Sequence, residues 1–380
     1  MRHQKFKLLI NAVREIKAFR LLVAHRVLLI TLKAPTSLIL INMNDLSSEN
    51  SSQEIRKDVP IIVVCAADDK YAMPLAVTVR SAIENLKGNY KILLFILDGG
   101  IKNKNKQRIL KSLSSEKCNI RFLSIPDELV RDFEESHEYL RTVKAAKITS
   151  KLDYISIASY YRLIISEILP EEYEKLIYLD SDLVVKGDIG QLWQTDLAEN
   201  YVLAAQDTWI KYVSTSQGLL NYQELGIPVG SKYFNAGVLV INLKKWRTDR
   251  ISSKAISYLK QNKDYVRYHD QDVLNALFAN RWGELDPRWN LSATNCAGYS
   301  QESPFSEDVY NTIISDPYIL HFTSKKKPWT SRHTLCKEYF FNYVDMTAWS
   351  GWRLTIWRRV WLKLIQEFKN RITINFKFTL

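Results

Sequence analysis

The sequence predicts an α/β fold with a mostly parallel sheet and helices on both of its faces. The runs 61–66 and 92–97 are apolar throughout, without the polar alternation of a strand that has one face in water. Both faces of such strands should be buried, as they are in parallel sheets. Stretches with helical spacing of apolar residues follow these runs, and this alternation is typical of βαβ units. A hydrophobic content of 46%, with only 12 Gly and 10 Pro in 380 residues, favours a large packed domain.

The elements follow one another in the order that βαβ units require. A helix that begins near Pro74 follows strand 61–66, and a basic helix with Ile109 and Leu113 on its apolar side follows strand 92–97. The remaining predicted elements are strand 120–125, helix 152–169, strands 176–179, 202–205 and 233–242, helices 249–261 and 270–280, an irregular stretch 281–317, and strand 318–322.

The positive charge is concentrated at the two ends of the chain. Eight basic residues and one acid give residues 1–33 a charge of +7, and seven basic residues and one acid give residues 351–380 a charge of +6. The whole chain has a net charge of +12, so residues 34–350 are left with −1. We therefore expect three parts: a basic amphipathic arm with a Ser-rich linker (1–57), a globular domain (58–335), and a basic aromatic tail (336–380).

The tail has the pattern of a helix that lies on a membrane surface. Apolar and basic side chains separate onto different sides, which is typical of attachment to anionic lipid. No apolar run reaches the roughly 18 residues of a membrane span. Basic ends also suit nucleic acid, but the near-neutral middle of the chain argues against a nucleic-acid-binding protein. We expect a cytoplasmic protein, peripherally attached to the inner face of a membrane, with no nucleic-acid partner. The apolar face of this helix comprises Trp357, Val360, Trp361, Leu364, Ile365 and Phe368.

The four cysteines are scattered along the chain. Cys65, Cys118, Cys296 and Cys336 lack the short spacings of a zinc site or a disulfide framework. We therefore expect free thiols, which fit a reducing compartment.

Two carboxylates follow the apolar strand 176–179. Asp180 and Asp182 lie where an open α/β sheet binds ligands, and hard oxygen donors suit a divalent cation. His321 ends another short strand and can reach the same edge of the sheet. An imidazole beside two carboxylates favours Mn²⁺ over Mg²⁺, because nitrogen is a softer donor. Lysines 325–327 would then neutralise a diphosphate, and the competing interpretations are a core histidine and a solvated charge run.

Other polar groups fall at further strand ends. Asp68 and its neighbour Asp69 follow the first strand, where a carboxylate can accept hydrogen bonds from a base or a ribose. The segment 268–272 (Tyr-His-Asp-Gln-Asp) adds carboxylate and amide groups that suit a hydroxyl-rich ligand, although helix capping is the alternative. A glycine inside a strand often marks a close approach of the backbone, as expected at Gly237. Three more residues belong to this hydroxyl-binding set: Arg162, Asp207 and Asn235.

Taken in order, these motifs resemble family 8 glycosyltransferases, in particular the bacterial lipopolysaccharide α-galactosyl- and α-glucosyltransferases. The resemblance covers about residues 60–330. It depends on Ala66-Ala67-Asp68-Asp69, Ile155-Ser-Ile157 with Tyr160 and Arg162, Tyr178-Leu-Asp-Ser-Asp182, Tyr233-Phe-Asn-Ala-Gly237, Asp270-Gln271-Asp272 and His321 with Lys327-Pro328-Trp329.

The resemblance implies a Rossmann-like nucleotide-diphosphate-sugar transferase fold. It implies a retaining transfer of galactose or glucose from a UDP-sugar to a glycan or glycolipid acceptor. Mn²⁺, with Mg²⁺ as the alternative, would bind to Asp180, Asp182 and His321. The other implied roles are uridine for Asp68 and Ile155, diphosphate for Ser324 and Lys327, and donor sugar for Arg162, Asp207, Asn235, Ala236, Gly237, Asp270 and Gln271, with Asp270, Gln271 and Arg162 nearest to the reaction.

Two residues depart from the family pattern, and one other enzyme class shares some of it. Lys70 stands where relatives often carry Asn near the nucleotide, and Ser324 stands where they usually carry Gly near the diphosphate. A sugar-nucleotide pyrophosphorylase also pairs carboxylates with a metal on an α/β sheet. That class needs a Gly-rich basic loop after the first strand, and residues 68–72 do not form one.

Overall fold

A computed structural model of the chain describes residues 59–129, 131, 133 and 157–358. The expected arm and linker (1–57), Ile155, and most of the expected tail helix lie outside the described residues. The strands are β1 (Ile61–Ala67), β2 (Ile92–Asp98), β3 (Cys118–Ser124), β4 (Lys175–Leu179), β5 (Leu183–Val185), β6 (Val202–Gln206), β7 (Phe234–Asn242), β8 (Trp282–Glu284), β9 (Leu291–Ser292) and β10 (Ile319–His321).

Helices follow β1 and β2, as the sequence predicts, whereas β4 leads directly into β5, β6 leads directly into β7, and three helices follow β7. The 3-10 helices are Asp69–Tyr71, Ile157–Ile164, Pro287–Asn290 and Ala293–Ala297. The α-helices are α1 (Ala72–Asn85), α2 (Asn103–Leu113), α3 (Ile165–Ile168), α4 (Ile189–Gln194), α5 (Leu243–Thr248), α6 (Ile251–Gln261), α7 (His269–Phe278), α8 (Glu307–Ser315) and α9 (Lys337–Val344).

Seven strands form a central sheet in the order β3-β2-β1-β4-β7-β6-β8. Strands β3, β2, β1 and β4 are parallel, and β7 runs antiparallel to both of its neighbours. A smaller sheet has the order β5-β10-β9. The predicted α/β class with a mostly parallel sheet is therefore confirmed.

Both faces of the central sheet are buried. In β1, Ile61 and Val63 join the core that includes α1, whereas Ile62 and Val64 join the core that includes α6 and α7. This arrangement explains the lack of polar alternation in β1, because each face of the strand packs against helices.

Two predicted segments differ from the structure. The described part of 152–169 forms a 3-10 helix and then the short α3, where a continuous helix was predicted. β-branched and aromatic residues such as Ile157 and Tyr160 have low helix propensity, so tertiary contacts decide the local conformation. The stretch 281–317 is not irregular as predicted, since it contains β8, β9, two 3-10 helices and α8. Ser306 caps this helix by accepting a hydrogen bond from Val309 N, which is a recognisable start signal.

The expectation that all four cysteines are free thiols was wrong. Cys296 and Cys336 form a disulfide across 40 residues of sequence, whereas Cys65 and Cys118 are buried free thiols. The pair joins the 3-10 helix Ala293–Ala297 to the start of α9, and these segments meet only in the folded chain. The cysteines therefore no longer support a reducing compartment, because only two of the four are free.

Residues 336–354, which the sequence assigns to the tail, pack against the domain. Phe340, Val344 and Trp349 belong to the main core, and Leu354 is also buried. Trp357, by contrast, is 84% exposed. The hypothesis of a membrane-binding tail is thus confined to the residues that follow Leu354. Within the described ranges, no helix is long and apolar enough to cross a bilayer.

Candidate functional site

A cleft of about 580 Å³ lies at the carboxyl ends of β1, β4, β6 and β10. Ligands bind at this edge of open α/β sheets because the loops that leave the strand ends surround a crevice there. Among the described residues that line the cleft, Gly237 is absent, although the sequence assigned it to the donor sugar. The predicted site residues that line the cleft are Asp68, Arg162, Asp180, Asp182, Asp207, Asn235, Ala236, Asp270, Gln271, His321, Ser324 and Lys327.

Asp180, Asp182 and His321 form a cluster of metal-ligand type. His321 Nε2 lies 3.2 Å from Asp182 Oδ1 and 3.7 Å from Asp180 Oδ2. The ligand atoms of the three residues all lie within 4.8 Å of one another. Adjacent donors around an octahedral cation, each about 2.1 Å from the ion, lie about 3 Å apart. The donor types and their spacing therefore fit a divalent cation of the Mn²⁺ or Mg²⁺ class.

In each of the two aspartates, the carboxylate oxygen that does not face His321 (the outer oxygen) contacts a basic side chain. Arg162 Nη2 lies 2.6 Å from Asp180 Oδ1, and Lys327 Nζ lies 2.6 Å from Asp182 Oδ2. Burial alone would raise the pKa of Asp182, but Lys327 and His321 outweigh it and hold that pKa well below its usual range. Lys325 and Lys326 are exposed, whereas Lys327 is buried. The interpretation of a solvated charge run thus fits only two of the three lysines.

Gly237 makes the cluster sterically feasible. A Cβ atom at this position would lie 2.3 Å from His321 Cε1, 2.7 Å from His321 Nδ1 and 3.0 Å from Asp180 Oδ2. Any larger residue would therefore displace the imidazole or the carboxylate. The predicted close approach of the backbone is confirmed, and its purpose is to admit the His321 ring.

Arg162 also joins Asp270 to the cluster. Its Nε lies 2.8 Å from Asp270 Oδ2, and its guanidinium stacks over the Tyr178 ring, 4.4 Å from the centroid. Burial raises the pKa of Asp270 to about 6, although Arg162 acts in the opposite direction. For Arg162 itself, burial would lower the pKa, but the Asp180 and Asp270 carboxylates outweigh burial and hold that pKa above its ordinary value.

Residues 62–333 match the family model described as glycosyl transferase family 8. The chain belongs to glycosyltransferase family 8. General stress protein A of Bacillus subtilis (strain 168) is 31% identical over 302 residues, which cover 78% of this chain and 97% of the relative. A lipopolysaccharide 1,2-glucosyltransferase of Escherichia coli is 25% identical over 285 residues, 74% of this chain and 77% of the relative. The galactosyltransferase LgtC, solved in complex with donor and acceptor sugar analogues, is 30% identical, with a TM-score of 0.61, and the match covers 78% of this chain and 99% of LgtC.

Family 8 transferases use nucleotide-sugar donors and a divalent metal, and the Asp-Asp-His cluster is the candidate site for that metal in this family 8 chain. The two acids after β1 differ in their surroundings. Asp68 lines the cleft and accepts hydrogen bonds from Lys70 N and Tyr71 N at 2.9 and 3.0 Å. Asp69 instead accepts from Lys102 N at 2.9 Å, at the start of α2. Of these two carboxylates in the transferase, only Asp68 faces the cleft.

The amide side chains of the family 8 site are held by contacts within the protein. Asp207 Oδ2 accepts hydrogen bonds from Asn235 Nδ2 at 2.9 Å and from Gln271 Nε2 at 3.3 Å. Gln271 Oε1 accepts a hydrogen bond from Ala236 N at 3.0 Å. Both polar ends of Gln271 are thus engaged, which fixes the direction of its amide.

Sequence reasoning missed several residues of the transferase cleft. Asn290 contacts both Asn235 and His321, yet it lies in the stretch predicted to be irregular. Trp209 lines the cleft and is 75% exposed, two positions after the predicted Asp207. An exposed tryptophan next to a candidate site is a signal that the sequence alone does not reveal, because exposure depends on the fold. The other missed lining residues include Ser292, Thr294, Asn295 and Thr323.

Proposed function

We propose that this protein transfers a hexose, galactose or glucose, with retention of configuration from a UDP-sugar to a hydroxyl group of a glycan or glycolipid acceptor. Mn²⁺ is the proposed metal, with Mg²⁺ as the alternative. The observation that carries the proposal is the convergence of Asp180 Oδ2, Asp182 Oδ1 and His321 Nε2 inside the cleft of a family 8 transferase.

In this proposal, the nucleotide end of the donor lies near Asp68, and the diphosphate lies near Ser324 and Lys327. Asp180, Asp182 and His321 would hold a divalent cation, which would supply Lewis-acid stabilisation to the departing diphosphate. Lys327 borders the same place, since its Nζ contacts Asp182 Oδ2 and donates to Phe322 O. A buried ammonium at this position adds positive charge where the leaving group becomes more negative.

In this proposal, the sugar of the donor lies against Asp207, Asn235, Ala236, Asp270 and Gln271, and Gly237 acts on the site only through the His321 ring. Retention requires either a nucleophile on the far face of the sugar or substitution on the same face. An amide is a poor nucleophile, and the Gln271 amide is engaged by Ala236 N and Asp207. We favour same-face substitution, in which the departing UDP oxygen takes the acceptor proton. Asp270 then lends negative charge to the cationic sugar, and Arg162 holds Asp270 in place.

The acceptor is a saccharide carried on a lipid in this proposal, as in lipopolysaccharide biosynthesis. The lipopolysaccharide glucosyltransferase of Escherichia coli supports this class of acceptor. A cytoplasmic protein on the inner face of the membrane would meet such an acceptor. Ile356 and Trp357 are 63% and 84% exposed, and the exposed Arg358 follows them. Apolar groups beside basic ones suit an anionic lipid surface.

Release of UDP from a panel of UDP-hexoses, with Mn²⁺ and in EDTA, tests the chemistry. We expect release that depends on the metal and on one preferred sugar, and Asp182→Ala should lose it. Asp69→Ala is the matched control, because this strand-end acid is held by α2 outside the cleft. Full activity in EDTA would refute the proposal.

Vesicle flotation tests the location of the protein. The full chain should float on anionic vesicles, and a chain that ends at Thr355 should not. This truncation removes the exposed Ile356 and Trp357 but retains the buried Leu354. Equal flotation of the two proteins would exclude the tail as the anchor.

A further inference from the structure

A series of hydrogen-bonded side-chain amides connects Asp207 to the ring of His321. Asn235 Nδ2 donates to Asp207 Oδ2 at 2.9 Å, and Asn290 Nδ2 donates to Asn235 Oδ1 at 2.9 Å. Asn290 Oδ1 lies 2.9 Å from His321 Nδ1. Asn290 and His321 are both buried, so the protein has to supply the hydrogen-bond partners of these groups.

The contacts of Asp207 and Gly237 decide which end of the Asn235 amide donates and which end accepts. The other oxygen of Asp207 accepts hydrogen bonds from Trp209 N and Ile210 N, both at 2.8 Å, so the carboxylate acts as an acceptor throughout. Gly237 N can only donate, and it lies 3.0 Å from Asn235 Oδ1. Asn235 therefore has to present Nδ2 to Asp207 and Oδ1 to Gly237.

The orientation of the Asn290 amide follows from that of Asn235. Because Asn235 Oδ1 is an acceptor, Asn290 has to present Nδ2 to it, which leaves Asn290 Oδ1 facing His321. An oxygen acceptor in this place requires His321 Nδ1 to carry a proton. A neutral imidazole with its proton on Nδ1 has its lone pair on Nε2, the atom that faces Asp180 and Asp182.

We propose that Asn290 is a positioning residue that holds neutral His321 in the Nδ1-protonated tautomer and so leaves Nε2 open to a divalent cation. The cation belongs to the proposed function, whereas the tautomer can be measured without it. In the absence of Asn290, the ring proton is expected on Nε2, where it can be donated to Asp182 Oδ1 at 3.2 Å. A proton on Nε2 would block coordination of the cation by His321.

Nitrogen-15 NMR of the metal-free full chain, labelled at histidine, tests the tautomer. The spectrum is recorded at a pH at which the rings are neutral, and the His321 signals are assigned by their loss in His321→Gln. We expect His321 Nδ1 to be protonated and Nε2 to be unprotonated. The signals of His269, whose Nδ1 lies 2.7 Å from Tyr160 Oη, serve as an internal reference. A proton on Nε2 of His321 in the wild-type chain would overturn the proposal.

Two substitutions of Asn290 separate positioning from packing. Asn290→Leu removes the acceptor at similar volume, and it should move the proton to Nε2 and weaken Mn²⁺ binding, followed by electron paramagnetic resonance, by roughly 10–100-fold. Asn290→Asp replaces the donor to Asn235 Oδ1 by an oxygen but keeps an oxygen acceptor for His321 Nδ1, so it should keep the tautomer and bind Mn²⁺ at least as tightly as the wild type. Equal affinities and equal tautomers in all three proteins would also overturn the proposal. A wild-type chain with protonated Nδ1 but no Mn²⁺ binding would support the role of Asn290 and would refute the metal of the proposed function instead.

Discussion

Substitution of Gly237 by alanine tests the geometry of the metal cluster most directly. The added Cβ would lie 2.3 Å from His321 Cε1, and ordinary van der Waals contact begins at 3.4 Å. The ring would therefore have to retreat by at least 1.1 Å, the difference between these distances. His321 is buried, and its Nδ1 is held by Asn290, so the ring has little room to move.

Three quantities should change in Gly237→Ala. Crowding of a packed interior typically costs 1–3 kcal/mol, so the free energy of unfolding should fall by about 2 kcal/mol. A displacement of about 1 Å in the catalytic geometry can lower turnover by roughly 100-fold. The affinity for Mn²⁺ should fall at least about tenfold, because one of the three ligands is moved. Urea denaturation, UDP release and calorimetry with Mn²⁺ measure these changes.

Two other glycines provide matched controls. At Gly283, a Cβ would lie 2.5 Å from Leu203 Cδ2, so alanine should cost stability there without any change in Mn²⁺ affinity. At Gly230, a Cβ would meet nothing within 4 Å, so alanine should have little effect on any of the three quantities. If Gly237→Ala loses stability but binds Mn²⁺ as tightly as the wild type, His321 is not a ligand and our interpretation of the cluster is wrong.

Three further predictions concern the charged and sulfur-containing groups of the fold. Burial raises the pKa of Asp270 from 3.8 to about 6, so its contribution to stability is present below pH 3.8 and is lost as the pH rises through 6. Between pH 4 and pH 8, the stability of the wild type relative to Asp270→Asn should therefore fall by up to about 3 kcal/mol in urea denaturation without metal, and a constant difference would refute the burial argument. Lys327→Met leaves the buried Asp182 without its cation and should cost about 3–5 kcal/mol, whereas Lys326→Met, at an exposed position, should not measurably change thermal unfolding; equal effects would contradict the assigned ion pair. Thiol titration of the denatured, unreduced chain should find two reactive cysteines of the four, and four would exclude the disulfide.

Six of the seven strands of the central sheet could be predicted because their signal is local, whereas β8 lies in the stretch that was predicted to be irregular. The runs 61–66 and 92–97 are apolar at every position. This pattern alone indicates strands that are buried on both faces, whatever the rest of the fold is. The Asp-x-Asp pair was found for the same reason, because it follows directly at the end of such a strand. The helix Glu307–Ser315 was missed although Ser306 is a suitable cap, since the aromatic and proline residues around it suggested an irregular stretch.

The other features depend on contacts between residues that are distant in sequence. Cys296 and Cys336 are 40 residues apart, and no spacing rule connects them. Asn290 is 31 residues from His321 and 55 from Asn235. A single polar residue in a segment of uncertain structure has no periodicity that could identify its partner. The fold supplies this information because it places the end of the 3-10 helix Pro287–Asn290 beside the end of β10.

The charges around the cluster explain why the fold can hold this site before any ligand binds. The three carboxylates of Asp180, Asp182 and Asp270 face the two cations of Arg162 and Lys327, which leaves a single net negative charge. Each cation holds an outer oxygen, so Asp180 Oδ2 and Asp182 Oδ1 remain directed toward His321 Nε2. A divalent cation at this point would change the net charge from −1 to +1. That sign is the one a diphosphate requires, so a cation bound by Asp180, Asp182 and His321 would be expected to strengthen the binding of the donor, and Arg162 and Lys327 reduce the repulsion between the three carboxylates.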